Sequence, residues 1–134
     1  MERFYNIPCD PKALSPLNLA FVGDAVFEVF VRERLVCSAN RPVNELHHLS
    51  VKQVCSGAQA AFTEKLLPIL TEEEASILRR GRNAHTNHVP KSSGVANYHT
   101  ATGFECLFGY LYLNGQIERL RELFELICSE TSET

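Results

Sequence analysis

The stretch LNLAFVGDAVFEVFVRERLV, residues 17–36, decides how the chain folds. Ser15 and Pro16 precede it and favour a helix start, with serine as the cap and proline in the first turn. Apolar side chains would cover nearly every side of this helix, which is typical of a helix in the middle of a bundle. Its charged residues, among them Asp24 and Glu28, argue against a membrane-spanning segment. The sequence therefore predicts a central, buried helix.

The chain up to residue 81 predicts two more helices. One begins after Pro42, with Asn44 as its cap, and carries apolar residues toward the core as far as Phe62. The other begins with Thr71 and three glutamates, a pattern that predicts a capping box, and Gly81 is its natural stop.

The rest of the chain predicts a loop and two helices. Residues 82–98 are rich in polar residues and loop-forming residues, whereas residues 101–113 and 116–128 show helical apolar patterns. No stretch alternates apolar and polar residues with the period of a strand. The fold class is therefore predicted to be all-α, a helical bundle formed by residues 1–134 as a single domain.

Composition narrows the class of protein. With 134 residues, of which 45% are hydrophobic and 22% charged, the chain can bury a core, so disorder is excluded. Its first residues show no secretory signal, and the expected location is the cytoplasm. The five cysteines contain no C-x-x-C pair, so neither a disulfide framework nor a zinc site is expected. Four of them fall in apolar, helix-like stretches, where we expect reduced, buried thiols.

Positive charge is concentrated in one part of the chain. The net charge is −3, yet no carboxylate occurs between Glu74 and Glu105. That segment holds several cations and three histidines: Arg79, Arg80, Arg82, Lys91, His85, His88 and His99. Such an uneven distribution predicts one face suited to an anionic partner.

Two carboxylates stand in unexpected places. Asp24 lies in the most apolar predicted helix, directly after Gly23, and Glu105 lies between large apolar residues of another helix. Burying a lone carboxylate costs several kcal/mol unless it is paired, neutralised or bound to a cation. Two such residues on different helices suggest one site, and oxygen ligands of this kind suit Mg²⁺. The alternatives are that Asp24 caps a neighbouring helix, or that Glu105 pairs with an arginine in the core.

Other candidate ligands have simpler explanations. Glu28 follows Asp24 by four residues and could join it, but an ion pair with Arg32 is the simpler role. Two histidine pairs could in principle bind a transition metal, although neither has a third ligand at a suitable spacing: His47 with His48, and His85 with His88.

Two motifs resemble the ribonuclease III family. LAFVGDAV at residues 19–26 is similar to the family signature, in which a helix presents Gly-Asp after an apolar lead. ATGFECLFGYLYL at residues 101–113 looks like the second family motif, whose Phe-Glu supplies another metal-binding carboxylate. RRGRNA lies between them at residues 79–84. The order of the motifs and the chain length are similar to the Mini-ribonuclease III branch, which has the catalytic domain without a double-stranded-RNA-binding domain.

The resemblance implies a fold, a site and partners. The fold would be the ribonuclease III endonuclease bundle, with Asp24 and Glu105 as catalytic, metal-binding residues and Mg²⁺ as the cofactor. The enzyme would be a homodimer whose two active sites line one valley for double-stranded RNA. The RNA-binding candidates are Arg79, Arg80, Arg82, Asn83, His85 and Lys91. The arginines could equally be cations that interact with the C-terminal end of a helix.

The chain departs from its longer relatives in its acidic residues. Thr102 stands where they carry an acid three residues before the Phe-Glu glutamate, and Leu17 and Ala20 replace acids upstream of Gly-Asp. Glu45 falls roughly where another family carboxylate lies. Fewer acids favour one tightly held Mg²⁺, with a second recruited by the substrate.

The leading interpretation is a Mg²⁺-dependent endoribonuclease. Its expected substrate, by resemblance, is the structured precursor of large-subunit (23S) ribosomal RNA, and a ribosomal protein is a further candidate partner. The alternatives are a non-catalytic RNA-binding or ribosome-associated module with the same fold, and a purely structural helical dimer whose basic loop is solvated surface.

Overall fold

The computed structural model describes residues 2–84 and 94–131, and within them the chain forms six α-helices and no strand. The helices are α1 (Pro16–Ser38), α2 (Val43–Val54), α3 (Ser56–Leu66), α4 (Glu72–Arg82), α5 (Val95–Leu113) and α6 (Ile117–Thr131). Short 3₁₀ turns occupy Pro11–Ala13 and Leu67–Ile69. This confirms the predicted all-α class.

Helix α5 is the centre of the bundle. It packs against α1, α3, α4 and α6, and nearly all of its side chains from residue 101 to residue 111 are buried. Aromatic rings fill the space between α5 and α1, and the ring centroids of Phe27 and Phe104 are 4.9 Å apart. Phe27 also meets Phe108 at 5.4 Å and Phe62, from α3, at 6.1 Å. The core therefore lies around α5, with α1 as its main partner.

Glycines let α5 touch its neighbours through the backbone. A methyl group on Gly23 of α1 would lie 1.6 Å from the carbonyl oxygen of Glu105, and one on Gly109 would lie 1.9 Å from that of Leu19. On the other side of α5, a methyl group on Gly103 would lie 2.5 Å from the carbonyl oxygen of Leu78 in α4. The glycine beside Asp24 thus brings two helices into direct contact, at the expense of local helix propensity.

Two predicted helix starts are confirmed. The Ser15 hydroxyl accepts a hydrogen bond from the backbone N–H of Asn18 at 3.2 Å. The Thr71 hydroxyl accepts one from the N–H of Glu74, whose carboxylate in turn accepts from the N–H of Thr71. Both arrangements satisfy backbone donors that have no partner inside the helix.

Several predicted boundaries were wrong. The single helix expected after Pro42 is two helices, because Cys55 takes an extended backbone that ends α2 and starts α3. Gly81 does not stop α4, which continues to Arg82. Helix α5 begins at Val95, so the end of the predicted loop 82–98 is helical, and residues 85–93 lie outside the described residues. The break at Cys55 lets α2 pack against α1 while α3 packs against α5.

All five cysteines are free in the structure, and fewer of them are buried than expected. Cys106 is buried and Cys128 is partly buried, whereas Cys9, Cys37 and Cys55 are exposed. Cys37 lies in the last turn of α1, and Cys55 lies between α2 and α3. At such helix ends an apolar pattern no longer implies burial. No helix in the described part of the chain is both long enough and apolar enough to span a membrane.

Candidate active site

Asp24 and Glu105 meet where α1 crosses α5. The backbone contact at Gly23 places the residue that follows it beside the α5 turn that carries Glu105. Their carboxyl groups are close enough to share a hydrogen bond. Two carboxyl groups can share one only when one of them carries a proton. The predicted meeting of these two residues is therefore present in the structure.

The surroundings of the two carboxyl groups differ. Asp24 is exposed, so the expectation that it is buried was wrong. The buried positions of α1 belong to other residues, among them Gly23 and Phe27, which pack in the bundle. Glu105 is only partly exposed. The pair thus has one member within reach of solvent and one recessed between helices.

Gln59 contributes a third polar side chain from α3. Its amide Nε2 donates a hydrogen bond to Oε2 of Glu105 at 3.3 Å, and the residue is 1% exposed. The sequence analysis missed this residue. A signal was present, because Gln59, Phe62, Thr63 and Leu66 recur at the i, i+3, i+4 and i+7 spacing of a buried helix face.

The site has an unbalanced negative charge. Burial, the negative charge of Asp24 and the hydrogen bond with Asp24 together raise the pKa of Glu105 to about 8, and the hydrogen bond from Gln59 acts in the opposite direction. At neutral pH the pair therefore holds a proton in the absence of a cation. A cation between the two groups would replace that proton.

The surrounding fold matches proteins of known structure and sequence. The profile of the Ribonuclease III domain matches residues 17–116, which include both carboxylates. The Mini-ribonuclease 3 of Thermoanaerobacter sp. (strain X514) is 50% identical over 85% of this chain and 80% of its own length. The Mini-ribonuclease 3 of Symbiobacterium thermophilum is 50% identical over 87% of this chain and 89% of its own. The chain belongs to the ribonuclease III family.

A solved structure supports the same conclusion for the fold. A protein of Fusobacterium nucleatum, known from X-ray crystallography, is 27% identical and superposes with a TM-score of 0.82 over 92% of this chain and 99% of its own. The chain is thus an endoribonuclease of the Mini-ribonuclease 3 type.

The other candidate positions, Glu28, Glu45 and Thr102, each have a partner of their own. Glu28 pairs with Arg32, as predicted, and the exposed Glu45 lies 3.7 Å from Arg41. Thr102 donates its hydroxyl to a backbone carbonyl within its own helix at 3.0 Å. Within the described ranges, no group of three or more histidine, cysteine or acidic residues could hold a metal ion.

The described part of the chain does not support the two alternatives, in which Glu105 pairs with an arginine or Asp24 caps a helix. There, Glu105 bonds to Asp24 and Gln59, and no arginine pairs with it. Asp24 caps none of the helices α1 to α5, whose starts use other residues or none. The exposed His47 and His48 belong to no metal-binding group there, whereas His85 and His88 lie outside the described residues.

The basic residues of this ribonuclease III domain cluster at the end of α4. Arg79, Arg80 and Arg82 occupy the last turn of that helix, Asn83 is its C-cap, and all four are exposed. His85 and Lys91 lie outside the described residues. Cations in the last turn of a helix interact favourably with its C-terminal end, and exposed arginines are equally suited to phosphate.

The end of α4 lies next to the α5 turn that carries Glu105 and Cys106. A methyl group on Gly81 would be 2.6 Å from Cβ of Cys106, the residue after Glu105. Burial raises the pKa of the Cys106 thiol to about 11, and the charge of Arg80 acts against this effect. The charge of Arg80 therefore reaches the Cys106 thiol on α5, whereas no cation is among the groups that set the pKa of Glu105.

Proposed function

We propose that this endoribonuclease cleaves double-stranded RNA with the help of Mg²⁺ held by Asp24 and Glu105. The observation that carries the proposal is the carboxyl pair itself, one member exposed and one recessed, at a backbone contact between α1 and α5. Ribonuclease III enzymes generally depend on a divalent metal ion. The whole chain is proposed to act as one catalytic domain, in the cytoplasm.

The donor set fits Mg²⁺. This ion prefers oxygen ligands, keeps several waters and is often held by one or two carboxylates. Asp24 and Glu105 supply those carboxylates, and burial together with the nearby charge of Asp24 raises the pKa of Glu105, as expected where two acids meet without a cation. Bound Mg²⁺ would supply the positive charge that makes water a stronger nucleophile and stabilises a leaving oxygen.

The reaction proposed is hydrolysis of a phosphodiester. Water attacks phosphorus, the bond from phosphorus to the 3′-oxygen breaks, and that oxygen takes up a proton. The products are a 5′-phosphate and a 3′-hydroxyl. Asp24 has the role of presenting its carboxylate to the substrate side, since it is exposed, while Glu105 fixes the recessed side of the site.

Duplex RNA is proposed to lie along the basic end of α4. Arg79, Arg80, Arg82 and Asn83 are exposed, and none forms an ion pair with another described residue. Arginine suits phosphate, and duplex RNA is recognised mainly through its phosphates and 2′-hydroxyls. His85 and Lys91 are proposed to extend this surface. The resemblance to Mini-ribonuclease III makes the 23S ribosomal RNA precursor the proposed natural substrate.

A second copy of the chain is proposed to cover α1. Ribonuclease III proteins typically form dimers. On α1, Leu17, Phe21, Ala25 and Val29 form an exposed row with a spacing of four, and the ring of Phe21 is 83% exposed. Large exposed apolar surface of this kind marks an interaction site. We expect sedimentation analysis to give a dimer for the wild type and a monomer for Phe21→Glu; a dimeric Phe21→Glu would contradict the proposed interface.

The decisive experiment is cleavage of RNA by the wild type and by Asp24→Asn, with Mg²⁺ or with EDTA. The substrates are a long RNA duplex and a structured ribosomal precursor. Mg²⁺-dependent cleavage should fall by at least about 100-fold in the variant, because one of two charges that hold the metal is lost. Duplex binding should persist.

The outcomes separate the candidate functions. Full activity in Asp24→Asn would contradict the proposed site. Salt-sensitive duplex binding without cleavage by either protein would favour a non-catalytic RNA-binding module. No binding at low salt would favour a purely structural dimer, since phosphate contacts are strongest there.

A further inference from the structure

Gln59 is the most deeply buried polar side chain at the carboxylate pair. It lies on the face of α3 that packs against α5, among residues that fill the core. Its Nε2 meets Oε2 of Glu105 at 3.3 Å, across an interface between two helices. The contact therefore joins residues that lie far apart in the sequence.

Packing alone does not explain a glutamine at this position. An amide without a hydrogen-bond partner costs about 1–3 kcal/mol when buried, and an apolar side chain of similar size avoids that cost. Of its neighbours on the same face, Phe62 and Leu66 are apolar, and the Thr63 hydroxyl bonds back to the carbonyl of Gln59 at 2.8 Å. The side-chain amide of Gln59 is thus the group on this face that reaches an acid of the site.

We propose that Gln59 is a positioning residue that fixes the orientation of the Glu105 carboxylate, and thereby sets the affinity of the site for a divalent cation. The proposal rests on the metal-dependent function proposed above. Because Nε2 holds Oε2, the carboxylate cannot rotate about its last side-chain bond without losing this hydrogen bond. Oε1 takes no part in this hydrogen bond, and it is the oxygen that we assign to a cation shared with Asp24.

An amide suits this task better than a charged donor. A lysine or arginine at position 59 would orient the carboxylate equally well, but its positive charge would repel the incoming cation. A neutral N–H orders the carboxylate and leaves its negative charge available. Groups that order metal ligands in this way are worth about 10–100-fold in metal affinity or activity when removed.

The test measures Mg²⁺ binding without RNA, by titration calorimetry on the full chain. Four proteins are compared: wild type, Gln59→Met, Thr63→Val and Asp24→Asn. Gln59→Met keeps the length of the side chain and removes the donor, and we expect Mg²⁺ to bind about 10–100-fold more weakly. Thr63→Val is the matched control, because it removes a buried hydroxyl from the same face of α3 without touching the carboxylates. Its Mg²⁺ affinity should equal that of the wild type.

Activity supplies a second readout. In Gln59→Met, cleavage lost at low Mg²⁺ should be largely recovered at saturating Mg²⁺, because the defect lies in holding the cation. A purely structural role would instead lower the melting temperature and leave the Mg²⁺ dependence unchanged. That result, or a wild-type affinity in Gln59→Met, would overturn the proposal.

The outcomes distinguish this inference from the function on which it rests. If Asp24→Asn binds Mg²⁺ as well as the wild type, the proposed metal site itself fails. If Asp24→Asn loses binding while Gln59→Met retains it, only the role of Gln59 fails. Should Gln59→Met not fold, Gln59→Asn replaces it, because the shorter side chain keeps an amide but withdraws it from Glu105; the same loss of affinity is expected, and an unchanged affinity would overturn the proposal.

Discussion

Two recessed glutamates in this protein are handled in opposite ways. Glu74, on α4, is 5% exposed and accepts two hydrogen bonds of 2.8 Å from Arg119, besides its role in the capping box. Glu105, on α5, has an acid and an amide as its partners. The pKa of Glu74 lies below its usual value, chiefly because of the Arg119 hydrogen bond, whereas that of Glu105 is raised to about 8.

The comparison separates stability from function. Glu74 has its counter-ion built into the chain, so its bond to Arg119 joins α4 to α6 without an ion from solution. Glu105 has no cation among the described residues, so its environment favours a bound ion from outside. A glutamate carboxylate thus stabilises the fold at position 74, where an arginine neutralises it. At position 105 the same group lacks such a partner and is suited to binding a cation.

Glu74→Gln should have the largest effect on stability. It leaves the Arg119 guanidinium partly buried without its carboxylate, and breaking a pair of this kind typically costs about 3–5 kcal/mol. Urea unfolding measures this loss. As a control, Glu122→Gln removes a more exposed partner of the same arginine at 3.8 Å and should cost no more than about 1 kcal/mol. Equal losses in the two variants would show that Arg119 does not single out Glu74.

Glu105→Gln should have the reverse effect, with stability preserved and activity lost. The neutral amide no longer repels Asp24, so the free energy of unfolding should stay the same or rise. Cleavage of duplex RNA should fall by at least about 100-fold, because one of the two proposed metal-holding charges is lost. Thermal unfolding and cleavage rates measured on one preparation test both halves. A destabilised variant that still cleaves would make Glu105 a structural residue like Glu74.

The pH dependence of stability should differ in sign between the two residues. For Glu74, whose pKa is lowered, the stabilisation is present above its unfolded pKa and is lost as the pH falls through the folded pKa. For Glu105, the folded state holds a proton that the unfolded state has released between its ordinary pKa of 4.5 and about 8. Its stabilising contribution therefore declines as the pH rises through that window, by at most about 1.4 kcal/mol per unit.

This prediction is checked by urea unfolding between pH 5 and pH 8.5 in EDTA and in Mg²⁺. The decline toward high pH should be present in EDTA and should flatten in Glu105→Gln. Added Mg²⁺ should stabilise the wild type most at the high-pH end, where it no longer competes with a proton. A decline that persists unchanged in Glu105→Gln would assign it to other groups.

The sequence predicted those features that depend on local patterns. The Thr71 capping box needs only residues three apart, and the apolar length of α1 identifies it as a central helix. Asp24 and Glu105 could be predicted to meet because each is a carboxylate in an apolar helix. The exposure of Asp24 could not, because in a helix apolar on almost every side the sequence does not show which side faces α5.

Other features depend on contacts between distant segments. The break at Cys55 carries no proline, and the extended backbone there follows from where α2 and α3 must each pack. Gln59, like Asp24, is a polar residue among apolar neighbours in the sequence. Because an amide carries no charge, its presence there indicates a functional site less strongly than a carboxylate does. The exposed cysteines show the limit of composition, since an apolar stretch predicts burial only for the face that meets another helix.

The backbone contact at Gly23 also has a consequence for motion. Where helices pack through side chains, the gap between them changes as rotamers exchange on the picosecond to nanosecond scale. Between Gly23 and the Glu105 turn there is no side chain to exchange. The spacing of the two backbones that carry the carboxylates is thus fixed by direct contact. Motion between Asp24 and Glu105 is left to rotations within their side chains.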